Sequence, residues 1–295
     1  MAIREKYINP FTDFGFKKLF GTEFNKDLLI DFLNQVLSGK EQIRDLTYLN
    51  PENQGKLERD RKAIFDVYCE NERGERFIIE VQNVRQDFFK DRSIFYATFP
   101  IQEQVEKGKD WDYALKTVYT IGILNFTFPD KSMQERYIRE IQLIDTHTFE
   151  VFYDKLSFIY LEMPRFRKNE AELETHFDKW MYVLKNLQRL KKIPAKLREQ
   201  IFEKLFKQAE IVNLTQEEMN AYEESLKVYR DNYSVLKSAS EEGKRKGMEL
   251  GIKKGLKEGA SKRELEIAKK LKEKGVPIEM IAETTGLRKE QIEKL

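Results

Sequence analysis

Residues 61–84, RKAIFDVYCENERGERFIIEVQNV, constrain the chain more than any other stretch. Phe65, Val67 and Cys69 are apolar, with Asp66 and Glu70 between and beside them. Phe77, Ile79 and Val81 are apolar, with Glu80 and Gln82 in alternate places. A period of two is the mark of a half-buried strand. The linker Asn71-Glu72-Arg73-Gly74 carries turn residues, so the two runs predict a hairpin with strands at 63–70 and 76–82. A turn centred near Arg73 sets Asp66 opposite Glu80, with Cβ atoms about 5 Å apart on one face. Gln82 joins that face one pleat further on. Two carboxylates and an amide at a sheet edge can hold a divalent cation through oxygen. The same spacing also describes two acids on a solvated strand face.

The elements around the hairpin follow from periodicity. Thr12 or Asp13 can cap a short helix whose apolar side is Phe14, Phe16, Leu19 and Phe20. A second helix over 25–37 carries the stripe Leu28, Leu29, Phe32, Leu33 and Val36. Residues 43–49 predict a strand. A helical pattern over 88–107 contains Pro100, which should kink or split it. Residues 118–126, VYTIGILNF, are β-branched, apolar and aromatic, and predict a buried central strand. Further strands are expected at 137–145 and 156–163. The order to residue 126 is helix, three strands, helix, strand.

From residue 170 onward the pattern is helical, in segments over 170–190, 195–210 and 215–240, with Thr215 and Glu218 as a capping box. Gly243, Gly247, Gly251, Gly255 and Gly259 then recur every fourth residue in a charged stretch. Each costs a helix about 1 kcal/mol relative to alanine. The stretch is either a charged linker or a helix whose glycine row admits a close partner helix. Residues 264–295 predict three short helices with turns at Gly275 and Gly286. That is the spacing of a helix-turn-helix, in which Arg288, Lys289 and Gln291 would face DNA. It is also the spacing of a small bundle used for protein contacts.

Composition narrows the chemistry. The net charge is +2, so bulk charge demands no nucleic-acid partner, although the last fifty-odd residues are basic and lack Asp. The single cysteine, Cys69, excludes an intrachain disulfide and a cysteine zinc cluster. His147 and His176 are the only histidines, and neither has the context of a nucleophile-activating base. No stretch of about 18 apolar residues and no signal-peptide pattern is present, so a cytoplasmic, soluble protein without membrane association is expected.

Taken together, NPFTDFGFKKLFG, FDVYCE, FIIEVQ, the helix with RSIFYA and EQVEKG, and VYTIGILNF resemble the recombination-promoting nuclease (Rpn) family. Its members are also described as transposases with a PD-(D/E)XK nuclease domain. The resemblance covers about residues 7–240. It implies an α/β (α+β) fold with a restriction-endonuclease-like αβββαβ core and a mixed sheet, followed by an all-helical C-terminal region. The expected divisions are a nuclease-like domain at 1–165, a helical extension at 166–240, the glycine-spaced helix or linker at 241–262, and the helix-turn-helix-like tail at 263–295.

Carried over by position, Asp66 and Glu80 match the acids of the motif, and Gln82 falls where the pattern name has lysine. Catalytic roles are therefore implied for Asp66, Glu80 and Gln82. Mg2+ or Mn2+ would be held by Asp66 and Glu80. Asp13 would complete the metal shell or simply cap its helix. Gln82 can orient a water but brings no charge, so a nearby cation is sought in Lys62, Lys90 or Arg92. These three, with Arg288 and Lys289, are the expected DNA contacts. The implied activity is metal-dependent hydrolysis of DNA phosphodiesters, in recombination or mobile-element biology. The alternative is a weak or inactive DNA-binding or oligomerising protein on a nuclease fold. DNA and a second copy, joined through the C-terminal helices, are the expected partners, with no small-molecule cofactor.

Overall fold

A computed structural model describes residues 5–40, 42–53, 63–105, 113–129 and 136–295. It contains two compact units, residues 1–233 and 234–295. The elements of the first are α1 (Asp13–Phe20), α2 (Lys26–Val36), β1 (Leu46–Tyr48), β2 (Glu52–Asn53), β3 (Ala63–Ile64), β4 (Val67–Asn71), β5 (Arg76–Gln82), α3 (Phe89–Glu103), β6 (Val118–Leu124), β7 (Ile138–Ile144), β8 (Val151–Glu162), α4 (His176–Asn186) and α5 (Gln200–Ala209). The long helix α6 (Gln216–Glu273) begins in this unit.

Six strands form one mixed sheet in the order β1-β4-β5-β6-β8-β7. β1, β4 and β5 are antiparallel neighbours, while β5, β6 and β8 run parallel and β7 returns antiparallel to β8. The helix–three strands–helix–strand order expected from periodicity is present, with α3 as the crossover that parallel β5 and β6 require. β6 is buried along its whole length, as a strand covered on both faces must be.

The period of two sorts the side chains. Val67, Cys69, Phe77, Ile79, Tyr119, Ile121, Ile159 and Leu161 point to one face and join the main core with Phe16, Phe20, Phe32, Trp180 and Phe202 from the helices. On the other face, Val118, Leu124, Phe158 and Tyr160 meet Phe89 and Ala97 of α3. Tyr68 and Ile78 on that face meet Phe65 and Tyr96. Gly122 of β6 sits on the α3 side, paired with Glu80 on one side and Tyr160 on the other. A Cβ there would stand 2.9 Å from the Tyr160 ring, so glycine leaves room for that ring.

Three expectations change in detail. The predicted strand over 43–49 shortens to Leu46–Tyr48. The first hairpin strand is interrupted between β3 and β4, at Phe65 and Asp66. α3 is not split at Pro100 but runs on to Glu103. The proline withdraws one N–H from the helix and crowds the carbonyl one turn before it, yet the helix continues past it.

The second unit is helical. α6 passes through all five spaced glycines, so the linker reading gives way to the helix. Beyond the helix's own neighbouring backbone, no described atom lies within 4 Å of a Cβ added at any of them. Glu242–Lys246 and Lys254–Glu258 ion pairs at (i, i+4) line the same stretch. Ala268 on the last turns of α6 packs with Ile281 of α7 (Ile278–Thr285) and Ile292 of α8 (Lys289–Glu293). Gly286, at φ +73°, closes α7 in the left-handed conformation that glycine adopts without cost. Among the described residues no helix is long and apolar enough to cross a membrane.

Candidate active site

The β4–β5 hairpin sets the geometry. Val67 pairs with Ile79 and Glu70 with Arg76, so one further step of the same register brings Asp66 opposite Glu80. The turn is built as its residues demand. Asn71 Oδ1 accepts from the N–H groups of Arg73 (3.0 Å) and Glu75 (2.9 Å), and Gly74 takes φ +80°. Asp66 lies just before β4, where Asp66 Oδ2 accepts from Val81 N at 2.7 Å. A side-chain carboxylate thus satisfies an N–H of the strand that carries Glu80. The first hairpin strand breaks here: the Asp66 side chain takes the Val81 N–H, and the Phe65 N–H donates to the Pro51 carbonyl at 3.0 Å.

Both carboxylates resist ionisation. Burial pushes Asp66 up to about 6, helped by the negative charge of Asp13 and opposed by the Val81 N–H bond and the charges of Lys17 and Arg92. Burial and the Asp66 charge push Glu80 up to about 8, against the pull of Arg92. The Asp66 charge raises Glu80, and positive charge beside two half-buried acids favours their ionised forms. A hard divalent ion with oxygen ligands matches that donor set. Among the described residues no group of three or more His, Cys, Asp or Glu side chains is placed to hold a metal ion.

Asp13 is close enough to act on Asp66 electrostatically. It is largely exposed and pairs with Lys17 at 2.8 Å. The helix cap is Thr12, whose Oγ1 accepts from Gly15 N at 3.0 Å. Asp13 therefore does not have the capping role, and it stands at the rim of the acidic pair.

Gln82 and Arg92 meet directly. Arg92 Nη2 donates to Gln82 Oε1 at 2.5 Å and lies 4.0 Å from Glu80 Oε2. Its Nη1 donates to Gln86 Oε1. Gln82 Nε2 donates to the Val84 carbonyl at 2.9 Å. The guanidinium lies over the rings of Phe89 and Tyr96, at 5.6 and 5.7 Å from their centroids. Lys90, two residues earlier on α3, lies over Phe128 instead, at 5.2 Å. Lys62 falls outside the described residues. Arg288 and Lys289 belong to the second unit. There Lys289 pairs with Glu279 at 2.9 Å, and the Arg288 N–H donates to Gln291 Oε1 at 3.1 Å.

Two residues near the pair carried no role in the sequence reading. Lys17 bears on Asp66 because it sits one helical turn from Asp13, a relation visible in TDFGFKK. Asn83 follows Gln82 directly. Its Nδ2 donates to the Phe11 carbonyl at 2.6 Å, while its Oδ1 is buried without a hydrogen-bond partner. Asp13, Lys17 and Asn83 line a cavity of about 670 Å³, which Glu218, Ser225 and Tyr229 of α6 also line. Asp66 and Glu80 do not line it, so the cavity flanks the acidic pair.

A mixed sheet with this element order, and an Asp…Glu-x-Gln set on its central hairpin, defines a restriction-endonuclease-like fold of the nuclease class. The chain belongs to the PD-(D/E)XK nuclease family transposases, whose family model matches residues 10–239. No curated protein and no solved structure is significantly similar to the chain.

Proposed function

We propose that the protein is a metal-dependent DNA endonuclease of the cytoplasm, acting in DNA recombination or mobile-element biology. The observation that carries this reading is the acidic pair. Asp66 and Glu80 face each other across a hairpin, both pushed up by burial, with Asp66 raised further by Asp13 and Glu80 by Asp66. Two neighbouring carboxylates ionised together repel, and a cation bound between them relieves that repulsion. Asp66 and Glu80 would hold Mg2+ or Mn2+, and Asp13 at the rim would complete the shell. A bound ion of this kind lowers the pKa of a coordinated water and neutralises charge on a phosphate.

The chain's own residues supply the rest. Asp66 is oriented by its bond from Val81. Lys62, Lys90 and Arg92 are the proposed contacts of the DNA backbone on this unit, and Arg288 and Lys289 those of the tail. The glycine-spaced face of α6, exposed throughout, is the proposed seat of a second copy. The reading is tested by plasmid nicking with Mg2+ or Mn2+, comparing wild type with Asp66→Ala and Glu80→Ala. Equal cleavage by all three sinks the site assignment, and inert wild type under varied metals sinks the function.

One observation favours a second reading. Gln82 brings no charge, and its amide is engaged by Arg92 and by Val84. A DNA-binding protein that has kept the fold without the chemistry would bind duplex DNA while failing both to cleave it and to bind metal.

A further inference from the structure

The Gln82 side chain faces inward to the protein at both ends. Its oxygen is taken by Arg92 Nη2 and its nitrogen by the Val84 carbonyl. An amide engaged in this way is poorly placed to orient a water. What it does hold is a cation. Arg92 is fixed on four sides: by the amide oxygens of Gln82 and Gln86, and by the faces of Phe89 and Tyr96. Phe89, Arg92 and Tyr96 lie at i, i+3 and i+7, one face of α3, so the helix presents the guanidinium and its aromatic bed together. The held charge lies 4.0 Å from Glu80 and is felt by Asp66 as well. A guanidinium has five N–H donors in a planar fork, and two go to the two amides. Geometry of this kind suits a phosphate, and an arginine cannot serve as a base because it keeps its proton.

We infer that Arg92 is a catalytic residue that binds the scissile phosphate beside the acidic pair, and that Gln82 is a positioning residue whose task is to hold Arg92. The inference rests on the nuclease reading for its reaction, though not for its binding step. The cation that the motif's name places on the strand is here delivered from α3, ten residues later in sequence. Water activation is left to the acidic pair and the ion they hold. Fixing the guanidinium before substrate arrives means little reorganisation when charge develops on the phosphate.

The test is a charge exchange in the full-length chain, using a labelled DNA duplex and measuring both binding and cleavage. Arg92→Gln should lower the maximal cleavage rate about 100-fold, the usual effect of losing one preorganised group. Gln82→Ala, which frees Arg92 without removing it, should lower that rate by about tenfold. The double variant Gln82→Lys with Arg92→Gln should recover at least about tenfold over Arg92→Gln alone, because the cation returns from the strand. Binding in EDTA supplies a readout independent of turnover. For Arg92→Gln the slope of log affinity against log salt should fall by about one phosphate contact. Thermal unfolding of each variant identifies any that fails to fold, and for such a variant Arg92→Lys replaces Arg92→Gln, with a smaller loss of rate and an unchanged slope. An unchanged slope in Arg92→Gln overturns the inference, and so does a double variant no faster than Arg92→Gln. If wild type cleaves under no metal, the nuclease reading fails, and the salt slope alone decides whether Arg92 binds phosphate.

Discussion

The Asp66 carboxylate accepts a hydrogen bond from the backbone N–H of Val81 at 2.7 Å, so the first acid of the site is tied to the strand that carries the second. A residue assigned to metal binding thereby also terminates a β ladder. Its removal has a structural cost that a surface acid would not have.

Asp66→Ala leaves the Val81 N–H without its acceptor. The expected loss of stability is about 1–3 kcal/mol. Asp66→Asn keeps an oxygen at the same place and should lose less than about 1 kcal/mol. Urea unfolding of the three proteins without metal checks the difference, and equal midpoints for Ala and Asn would show that the bond carries no stability.

Glu80 is held ionised only against burial and the Asp66 charge. Glu80→Gln removes the charge and keeps the shape. At pH 9, in the absence of metal, the variant should melt several degrees above wild type, since a buried charge has been relieved. Added Mg2+ or Mn2+ should raise the melting temperature of wild type and leave the variant where it was. A variant that melts below wild type at pH 9 argues that the Glu80 carboxylate is already well compensated by the protein.

Asp178 has the opposite electrostatics. Its burial alone would raise it, but the Lys168 ammonium and the N–H groups of Thr175 and Glu174 outweigh burial and bring it down to about 2. A depressed carboxylate stabilises the fold above its unfolded pKa, about 3.9, and loses that contribution as pH falls through 2. Asp178→Asn should therefore cost on the order of 2 kcal/mol at pH 7 and flatten the fall in stability between pH 4 and 2. Denaturant titrations at pH 7 and pH 2.5 read both, and a constant difference between wild type and variant across that range would refute the linkage.

Beyond the backbone of its own helix, the glycine row of α6 meets no described atom within 4 Å. Alanine at Gly247, Gly251 and Gly255 should therefore raise helicity, by about 1 kcal/mol per position. A second copy packed against the row needs close backbone approach, which three added methyl groups prevent. Circular dichroism should show the gain and light scattering the loss of the oligomer. An oligomer that survives the triple change does not use this face.

The central hairpin was legible because two local rules agree there. Alternation assigns each side chain to a face, and the turn residues 71–74 set the register to within one residue. The predicted register of the hairpin is present from Val67 with Ile79 to Glu70 with Arg76, and the ladder ends one step short of Asp66 and Glu80. The interruption at Asp66 was not legible. It depends on an acid bonding a main-chain N–H fifteen residues away, and periodicity carries no information about such a bond. The cap of α1 shows the same limit. Thr12 and Asp13 are both good caps, and the choice of Thr12 leaves Asp13 to face the site.

Local pattern thus sufficed for the element order, the buried central strand and the hairpin register, because each depends on periodicity or turn chemistry within one or two elements. Tertiary packing decided which way the two cations of α3 point. Lys62, Lys90 and Arg92 were equal candidates as a list of charges. Docking α3 over the sheet turns Arg92 toward Gln82 and Glu80 and lays Lys90 on Phe128. Two residues on a helix differ by about 200° in direction, so the rotation of α3 about its own axis selects between them. That rotation is set by Phe89, Ala97 and Tyr96 seeking the sheet.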